Sequence, residues 1–283
     1  AEYDGEARVI AGGTDLINLI RAKAIRPQYV VDIGRIPGLG HLRYDADGAL
    51  VIGALATIRD LETSSDIRKL HPVIAQAAGQ LGSVAIRNVG TVGGNLCHAS
   101  PAADTAPALI ALGAEVRIVG PASDRTVALE DFFAGPGRTV LQSGEILTEI
   151  RVPSMRPHSK GVYLKHASRG AADLAIVGVA AIATTDDGFS RSVRIALGAV
   201  APTPIRARNA EAALEGEQTN DAVIEQAAQA AAAESHPITD VRASAGYRTE
   251  MVKVFTRWAI TTVIGNRDKP GKGTSAVPWR DDR

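Results

Sequence analysis

One cysteine, Cys97, stands in 283 residues. A lone thiol excludes an internal disulfide, and it cannot supply the thiolates that hold an iron–sulfur cluster. An excess of charge of either sign is missing too. Lysine plus arginine and aspartate plus glutamate both total 31, for a net charge of zero. That balance argues against nucleic acid or an anionic membrane as the main partner. It also means that a bound phosphate would be held mostly by local backbone dipoles. No stretch reaches the ~18 continuous apolar residues of a membrane span, and no signal-peptide pattern opens the chain, so a cytoplasmic protein is expected. There is no nucleophile elbow, no G-x-x-x-x-G-K-S/T, no paired metal-ligand motif and no evident acid–base pair. Cys97 and His98 are adjacent, but with only scattered histidines elsewhere no metal site is expected. No repeat or low-complexity segment appears.

What is present describes an ordinary globular protein, 45% apolar and 22% charged, with room for two domains that each bury a core. Two glycine-rich stretches stand out. Thr91 to Asp104 reads TVGGNLCHASPAAD. Gly93 and Gly94 remove two side chains in succession, which admits close backbone approach and positive φ. Asn95 can donate and accept, Ser100 and Pro101 break the run, and Asp104 stands where it could cap Thr105–Leu112. Such a loop suits an anion, although GG followed by Asn is also an ordinary tight turn. Arg8–Ile20, RVIAGGTDLINLI, reads as strand, glycine turn and helix, with Thr14 or Asp15 at the helix start. The G-x-G-x-x-G spacing is absent there. Two such loops, far apart in sequence, could converge on a ligand with two phosphates.

In chain order, Ala1–Gly5 reads as a helix end and Tyr29–Ile33 as a strand. Leu39–Arg43 and Leu50–Gly53 form a hairpin about Asp45–Gly48. Thr57-Ile58-Arg59-Asp60 resembles a capping box. Pro72 begins a helix in which Val73, Ile74, Ala77, Ala78 and Leu81 recur at helical spacing before Gly82. Glu115–Val119 and Arg125–Leu129 make a second hairpin, and Glu145–Val152 a strand ended by Pro153. Met155–Lys160 is a polar connector, which divides the chain at 154/155. Three strands follow, Gly161–Ala167, Leu174–Ala183 and Ser192–Val200, with a turn at Asp186–Gly188 and an antiparallel arrangement expected. Helices are expected over Ala207–Leu214, Asp221–Glu234 and Ser244–Ile264. The last carries Val252, Phe255, Ala259, Thr262 and Val263 on one broad face. Residues 267–283 read as a tail.

AGGTD at Ala11–Asp15, TVGGN at Thr91–Asn95 followed by ASPAAD, and LKHASR at Leu164–Arg169 resemble the flavin-binding subunit of the molybdenum hydroxylases. That family includes xanthine dehydrogenase and aerobic carbon monoxide dehydrogenase. The likeness runs in order from about Ala7 to Asn266, and it resembles the separate medium subunit. It implies an α+β fold: residues 1–154 as a two-subdomain FAD-binding domain of the vanillyl-alcohol oxidase type, then, over 155–266, a three-stranded antiparallel sheet with helices. It also implies a further strand and helix before the first residue given.

The resemblance further implies non-covalent FAD in this chain, with the molybdenum cofactor on a large partner subunit and two 2Fe–2S clusters on a small one. A dimer of heterotrimers serving an external electron acceptor would follow. Residue by residue, it sets Val9, Ile10, Ala11, Gly12, Gly13, Thr14, Asp15 and Leu16 along the flavin phosphates. It sets Thr91, Val92, Gly93, Gly94, Asn95 and Ser100 in the second loop, Asp104 by the sugar–phosphate portion and Leu81 nearby. Leu147 would meet the isoalloxazine ring, and Lys165 would reach back toward it. Read without the resemblance, Thr14, Asp15 and Asp104 are helix caps, Leu81 is a core leucine and Lys165 is a solvated strand lysine. A stand-alone flavin oxidoreductase and a nucleotide-free scaffold subunit are the competing classes.

Overall fold

The computed structural model describes residues 6–170 and 172–264. The expectations for Ala1–Gly5 and for residues 267–283 lie outside these. Strand β1 (Ala7–Ile10), helix α1 (Leu16–Arg21) and strand β2 (Tyr29–Asp32) come first, with β1 and β2 paired in parallel from Ala7 and Tyr29 to Ile10 and Asp32. A right-handed return through a helix is what parallel neighbours require. Next come β3 (Leu42–Tyr44), β4 (Leu50–Gly53), α2 (Ile58–Thr63), α3 (Ser65–Leu70), α4 (Pro72–Gly79), α5 (Val84–Arg87), α6 (Val92–His98) and α7 (Thr105–Ala111). Strands β5 (Glu115–Gly120) and β6 (Ser123–Ala128), helix α8 (Leu129–Phe132), and strands β7 (Phe133–Gly135), β8 (Arg138–Thr139) and β9 (Ile146–Val152) complete this part.

Strand β9 is the centre of a five-stranded antiparallel sheet of order β3-β4-β9-β5-β6. Its core joins Leu50, Ile52 and Ile150 of the sheet to Leu61, Ile74, Leu96 and Leu109 of the helices. The capping box at α2 forms as the sequence suggests: Thr57 Oγ1 accepts from the Asp60 N–H, and Asp60 accepts from the Thr57 N–H. Pro72 occupies the first turn of α4, where its missing N–H costs nothing.

The remainder is β10 (Ser159–His166), β11 (Val177–Asp186), β12 (Phe189–Gly198), β13 (Ile205–Arg206), α9 (Arg208–Ala212), α10 (Asp221–Glu234) and α11 (Ala245–Ile264). The three long strands pair antiparallel, and the two-residue β13 extends the sheet by one. Asp187 and Gly188 both take positive φ in the two-residue turn between β11 and β12, the geometry that favours Asp-Gly there. Alternation in these strands is weak because both faces are covered. Val179, Ala181, Ile195 and Leu197 pack with α10 and α11, whereas Ala180 and Ala196 join the core of the first half. Helix α7, buried along its whole length, is the piece that lies against the second face.

On α11, Val252, Ala259 and Val263 are buried as expected, together with Thr256 and Ile260. Thr262 is exposed and its hydroxyl donates to the Trp258 carbonyl, so the buried face is rotated from the predicted one. Leu174 likewise lies outside β11 in an exposed segment.

Arg248 of α11 is fully buried; its guanidinium donates to the carbonyls of Ile176 and Ala199 and to Asp240. It thereby ties the helix to the start of β11 and the end of β12. Arg248→Met strands those acceptors and should cost about 3 kcal/mol. Denaturant unfolding at constant m-value checks this; a change under about 1 kcal/mol would show the clamp to be dispensable.

Candidate functional site

A cavity of about 700 Å³ opens between the β1–α1 segment, α6 and the start of α7, with Leu147 of β9 and the rim residues Ala172–Leu174 closing it. Of the residues singled out in the sequence, Val9 through Leu16, Leu81, Thr91, Gly93, Gly94, Asn95, Ser100, Asp104 and Leu147 line it. Val92 does not; it is buried in the core, where its N–H donates to the Ala56 carbonyl. Lys165 lies behind the wall.

The two glycine stretches meet because glycines let backbones touch. A Cβ on Gly12 would stand 2.0 Å from the Val89 carbonyl oxygen, so only glycine permits the first loop to rest on the strand of chain entering the second. Gly13 has φ +71°, the left-handed region open to glycine. Beyond them, the N–H groups of Gly12, Gly13, Thr14, Asp15 and Leu16 find no acceptor among the described residues. Asp15 sits at the N-cap position of α1 without a side-chain capping bond. Its carboxylate instead lies 3.7 Å from His98 Nε2 on the opposite wall.

The second stretch differs from expectation. Thr91 to His98 is a capped helix, not a loop, and neither Gly93 nor Gly94 has positive φ. Thr91 Oγ1 accepts from the Gly94 N–H at 3.1 Å, while the Gly93 N–H donates to the Ala54 carbonyl and the Asn95 N–H to Thr91. These amides are therefore spent inside the protein, and the free donors are those of the first loop. Gly93 is required by packing: an added Cβ would lie 2.7 Å from the Ala54 carbonyl oxygen. Gly94 is exposed to the cavity, and a Cβ there would meet Thr91 Oγ1. Asn95 Oδ1 accepts from Thr105 Oγ1 at 2.6 Å, joining α6 to α7. Ser100 makes a local turn, its Oγ accepting from the Ala102 N–H.

Asp104 is likewise not a cap by side chain. It is buried, and its two carboxylate oxygens accept from Tyr163 Oη at 2.8 Å and from Lys165 Nζ at 2.9 Å. Lys165 Nζ also donates to the Gln80 carbonyl at 2.8 Å, next to Leu81. Far from being solvated, the lysine is buried between the two halves of the chain. Burial pushes the Asp104 carboxyl up to about 6 against the pull of Lys165 and Tyr163, and burial beside Asp104 drives the Tyr163 hydroxyl well above the phenol range. Cys97 lines the cavity too, but burial pushes its thiol up to about 12, so it is no thiolate nucleophile. Among the described residues no group of three His, Cys, Asp or Glu could hold a metal, and no helix is long and apolar enough to cross a membrane.

Sequence reading missed Tyr163 and Arg87. Tyr163 shares a strand face with Lys165, two residues on, which is the signal that could have found it. Arg87 is buried and donates to Glu62 at 2.8 Å and to the carbonyls of Leu81 and Gly82, holding that turn against the cavity. Nothing in its local pattern distinguishes it from a surface helix arginine.

A cavity of this volume, with a run of free amides at one end and apolar walls from Val9, Leu55, Ile86 and Leu147, is shaped for an elongated phosphate-bearing ligand. Residues 1–155 match the family described as FAD binding domain in molybdopterin dehydrogenase, and residues 162–263 match the CO dehydrogenase flavoprotein C-terminal domain. The chain is 32% identical over 262 residues to the glyceraldehyde dehydrogenase medium chain of Sulfolobus acidocaldarius, covering 93% of this chain and 92% of that one. It is 30% identical over 260 residues to the xanthine dehydrogenase FAD-binding subunit of Escherichia coli O157:H7, covering 92% and 89%. Among solved structures, the carbon monoxide dehydrogenase of Hydrogenophaga pseudoflava aligns with a TM-score of 0.90 at 34% identity, over 93% of this chain and 91% of that one. The chain belongs to the family of FAD-binding subunits of molybdopterin dehydrogenases, and is an oxidoreductase subunit with the α+β fold the resemblance implied.

The raised Asp104 carboxyl has a sign that can be checked. Its folded value of about 6 exceeds the ordinary 3.8, so the folded chain holds that proton more tightly than the unfolded one. The group's stabilisation is full below the ordinary value and is lost as pH rises through about 6. Asp104→Asn should flatten this part of the pH–stability profile. At neutral pH it should cost about 3 kcal/mol, because Lys165 loses its carboxylate. Unfolding midpoints measured across that pH range decide it; an unchanged slope would assign the titration elsewhere.

Proposed function

We propose that this chain is the FAD-carrying electron-transfer subunit of a cytoplasmic molybdenum hydroxylase. In this reading it takes electrons from 2Fe–2S clusters on a small partner subunit, fed by a molybdenum cofactor on a large one, and passes them to an external acceptor. The assembly is a dimer of heterotrimers, with the cofactor half of this chain ending near residue 154. The observation that carries the reading is the convergence of Ala11–Asp15 and Thr91–Asn95 on one cavity lined by both free backbone donors and apolar side chains.

Gly12 to Leu16 would hold the pyrophosphate through their N–H groups, which suit an anion without any lysine. Asp104, braced by Lys165 and Tyr163, would accept from sugar hydroxyls, and Leu147 with its apolar neighbours would face the ring. When bound, FAD supplies the electron acceptance and release that no side chain here can supply. The chain's own work is to orient the cofactor, keep water from its buried side and fix the charge around it. A protonated Cys97 thiol favours non-covalent attachment.

Cofactor released by acid from the purified protein should chromatograph as FAD, and iron and molybdenum should co-purify with the native complex. FMN alone would overturn the cofactor assignment. FAD without iron or molybdenum would favour a stand-alone flavin oxidoreductase, and a protein that takes up no flavin would favour a scaffold subunit.

The two adjacent glycines should separate in mutagenesis. Gly93→Ala should destabilise the fold by about 1–3 kcal/mol through overpacking against Ala54. Gly94→Val meets a side-chain hydroxyl, Thr91 Oγ1, and not main chain, so it should lower the thermal midpoint of the flavin-free chain less than Gly93→Ala does, while lowering FAD occupancy. Full occupancy in Gly94→Val would remove this residue from the flavin site.

A further inference from the structure

Among the described residues, the charged side chains that line the cavity are Asp15, Asp104, Glu145, Asp173 and His98, with no lysine or arginine among them. Three of the four carboxylates have a cationic partner outside the lining. Asp104 is paired with Lys165 at 2.9 Å, Glu145 with Arg125 at 2.8 Å and Asp173 with Arg169 at 3.1 Å. Among the described residues, Asp15 is paired only with His98, at 3.7 Å. It is also the carboxylate set within the run of free amides from Gly12 to Leu16. An unneutralised carboxylate at an anion site opposes phosphate binding at close range. His98, the last residue of α6, comes from the facing wall, so the pair spans the two segments whose convergence forms the site.

Resting on the FAD reading, we propose that His98 is a positioning residue for the phosphate end of the site: facing Asp15 at 3.7 Å, it offsets that carboxylate, draws the α1 loop and α6 together and strengthens FAD binding. Removing His98 should therefore weaken FAD binding while Asp15 is present and matter little once Asp15 is neutral. The other charged groups that reach this region are few. Helix α6 packs on α7, β8 and β9. These bring Asp104, the exposed Arg138, and Glu149 and Arg151, of which Glu149 lies near His41, Arg43 and Arg117, and Arg151 pairs with Asp45 and Asp47. From the α1 side come Asp15 and, at the far end of that helix, Arg21. Glu145 and Asp173 complete the wall.

The test titrates FAD into the flavin-freed full-length chain, following flavin fluorescence, for the wild type, His98→Gln, Asp15→Asn and the double variant. His98→Gln should bind about three- to fivefold more weakly than the wild type, the scale of a half-exposed ion pair. In the Asp15→Asn background the same change should matter little, because the carboxylate it offsets is gone. Equal affinities of wild type and His98→Gln, or an equal loss in both backgrounds, would overturn the role of His98 alone. Failure of the wild type to bind FAD would overturn the cofactor reading on which this one rests.

Discussion

A buried carboxylate is the constraint on which the arrangement of this protein depends. Asp104 enters from the N-terminus of α7, in the first half of the chain, and finds both its partners, Tyr163 and Lys165, on β10 of the second. Removing an ionised carboxylate from water is costly unless it is paired and hydrogen-bonded. Each oxygen here has a donor, and the lysine reaches on to the Gln80 carbonyl at the end of α4. The geometry is satisfied only when α4, α7 and β10 sit in one relative position. Apolar packing of α7 against β11 and β12 would tolerate small slides; the ion pair does not. Asp104 lines the cavity with Lys165 and Tyr163 held behind it, so the device that registers the two halves also fixes part of the wall.

Close backbone contact is the second constraint. Gly12 against Val89 and Gly93 against Ala54 are places where a single methyl group would collide with main chain. Main chain cannot swing away as a side chain can, so these glycines set how near the α1 loop and α6 approach. Thr57 pairs with Thr91 in an isolated bridge, and Arg87 holds Leu81 and Gly82 from below. The cavity is what remains between elements that are each fixed by something other than the ligand. A site made this way is preorganised, which lowers the ordering that binding must bring about.

How much of this was legible in the sequence depended on the range of the forces involved. Features decided within a few residues were readable: the Thr57–Asp60 capping box, Pro72 at the start of α4, the Asp187-Gly188 turn and the span Asp221–Glu234. Features decided across the chain were not. Two adjacent glycines each weaken a helix by about 1 kcal/mol, so Thr91–His98 reads locally as a loop. Tertiary contact overrides that preference, since Gly93 fits against Ala54 only because it is bare and Thr91 caps the turn. Asp104 reads as a cap because capping is the local use of an aspartate before a helix, while its true partners lie about sixty residues on. Lys165 reads as solvated for the same reason. The two glycine pairs do meet at one cavity, but through different physics: one leaves amides free, and the other lets a helix pack.

That difference bears on how the site treats charge. Among the described residues the wall presents no lysine or arginine, and the whole chain carries no net charge. An anion here would be met by oriented amides of the first loop and not by flexible cations. Such dipoles are already aligned and need no reorganisation when charge arrives or leaves, and they are less screened by salt than exposed ion pairs. A lysine placed at the phosphates would add attraction but would bring a mobile charge into the cavity. Among the described residues, His98 stands opposite Asp15, while Asp104, Glu145 and Asp173 each have a lysine or arginine partner. An anion in the cavity would therefore meet oriented backbone and carboxylates whose charge is largely matched.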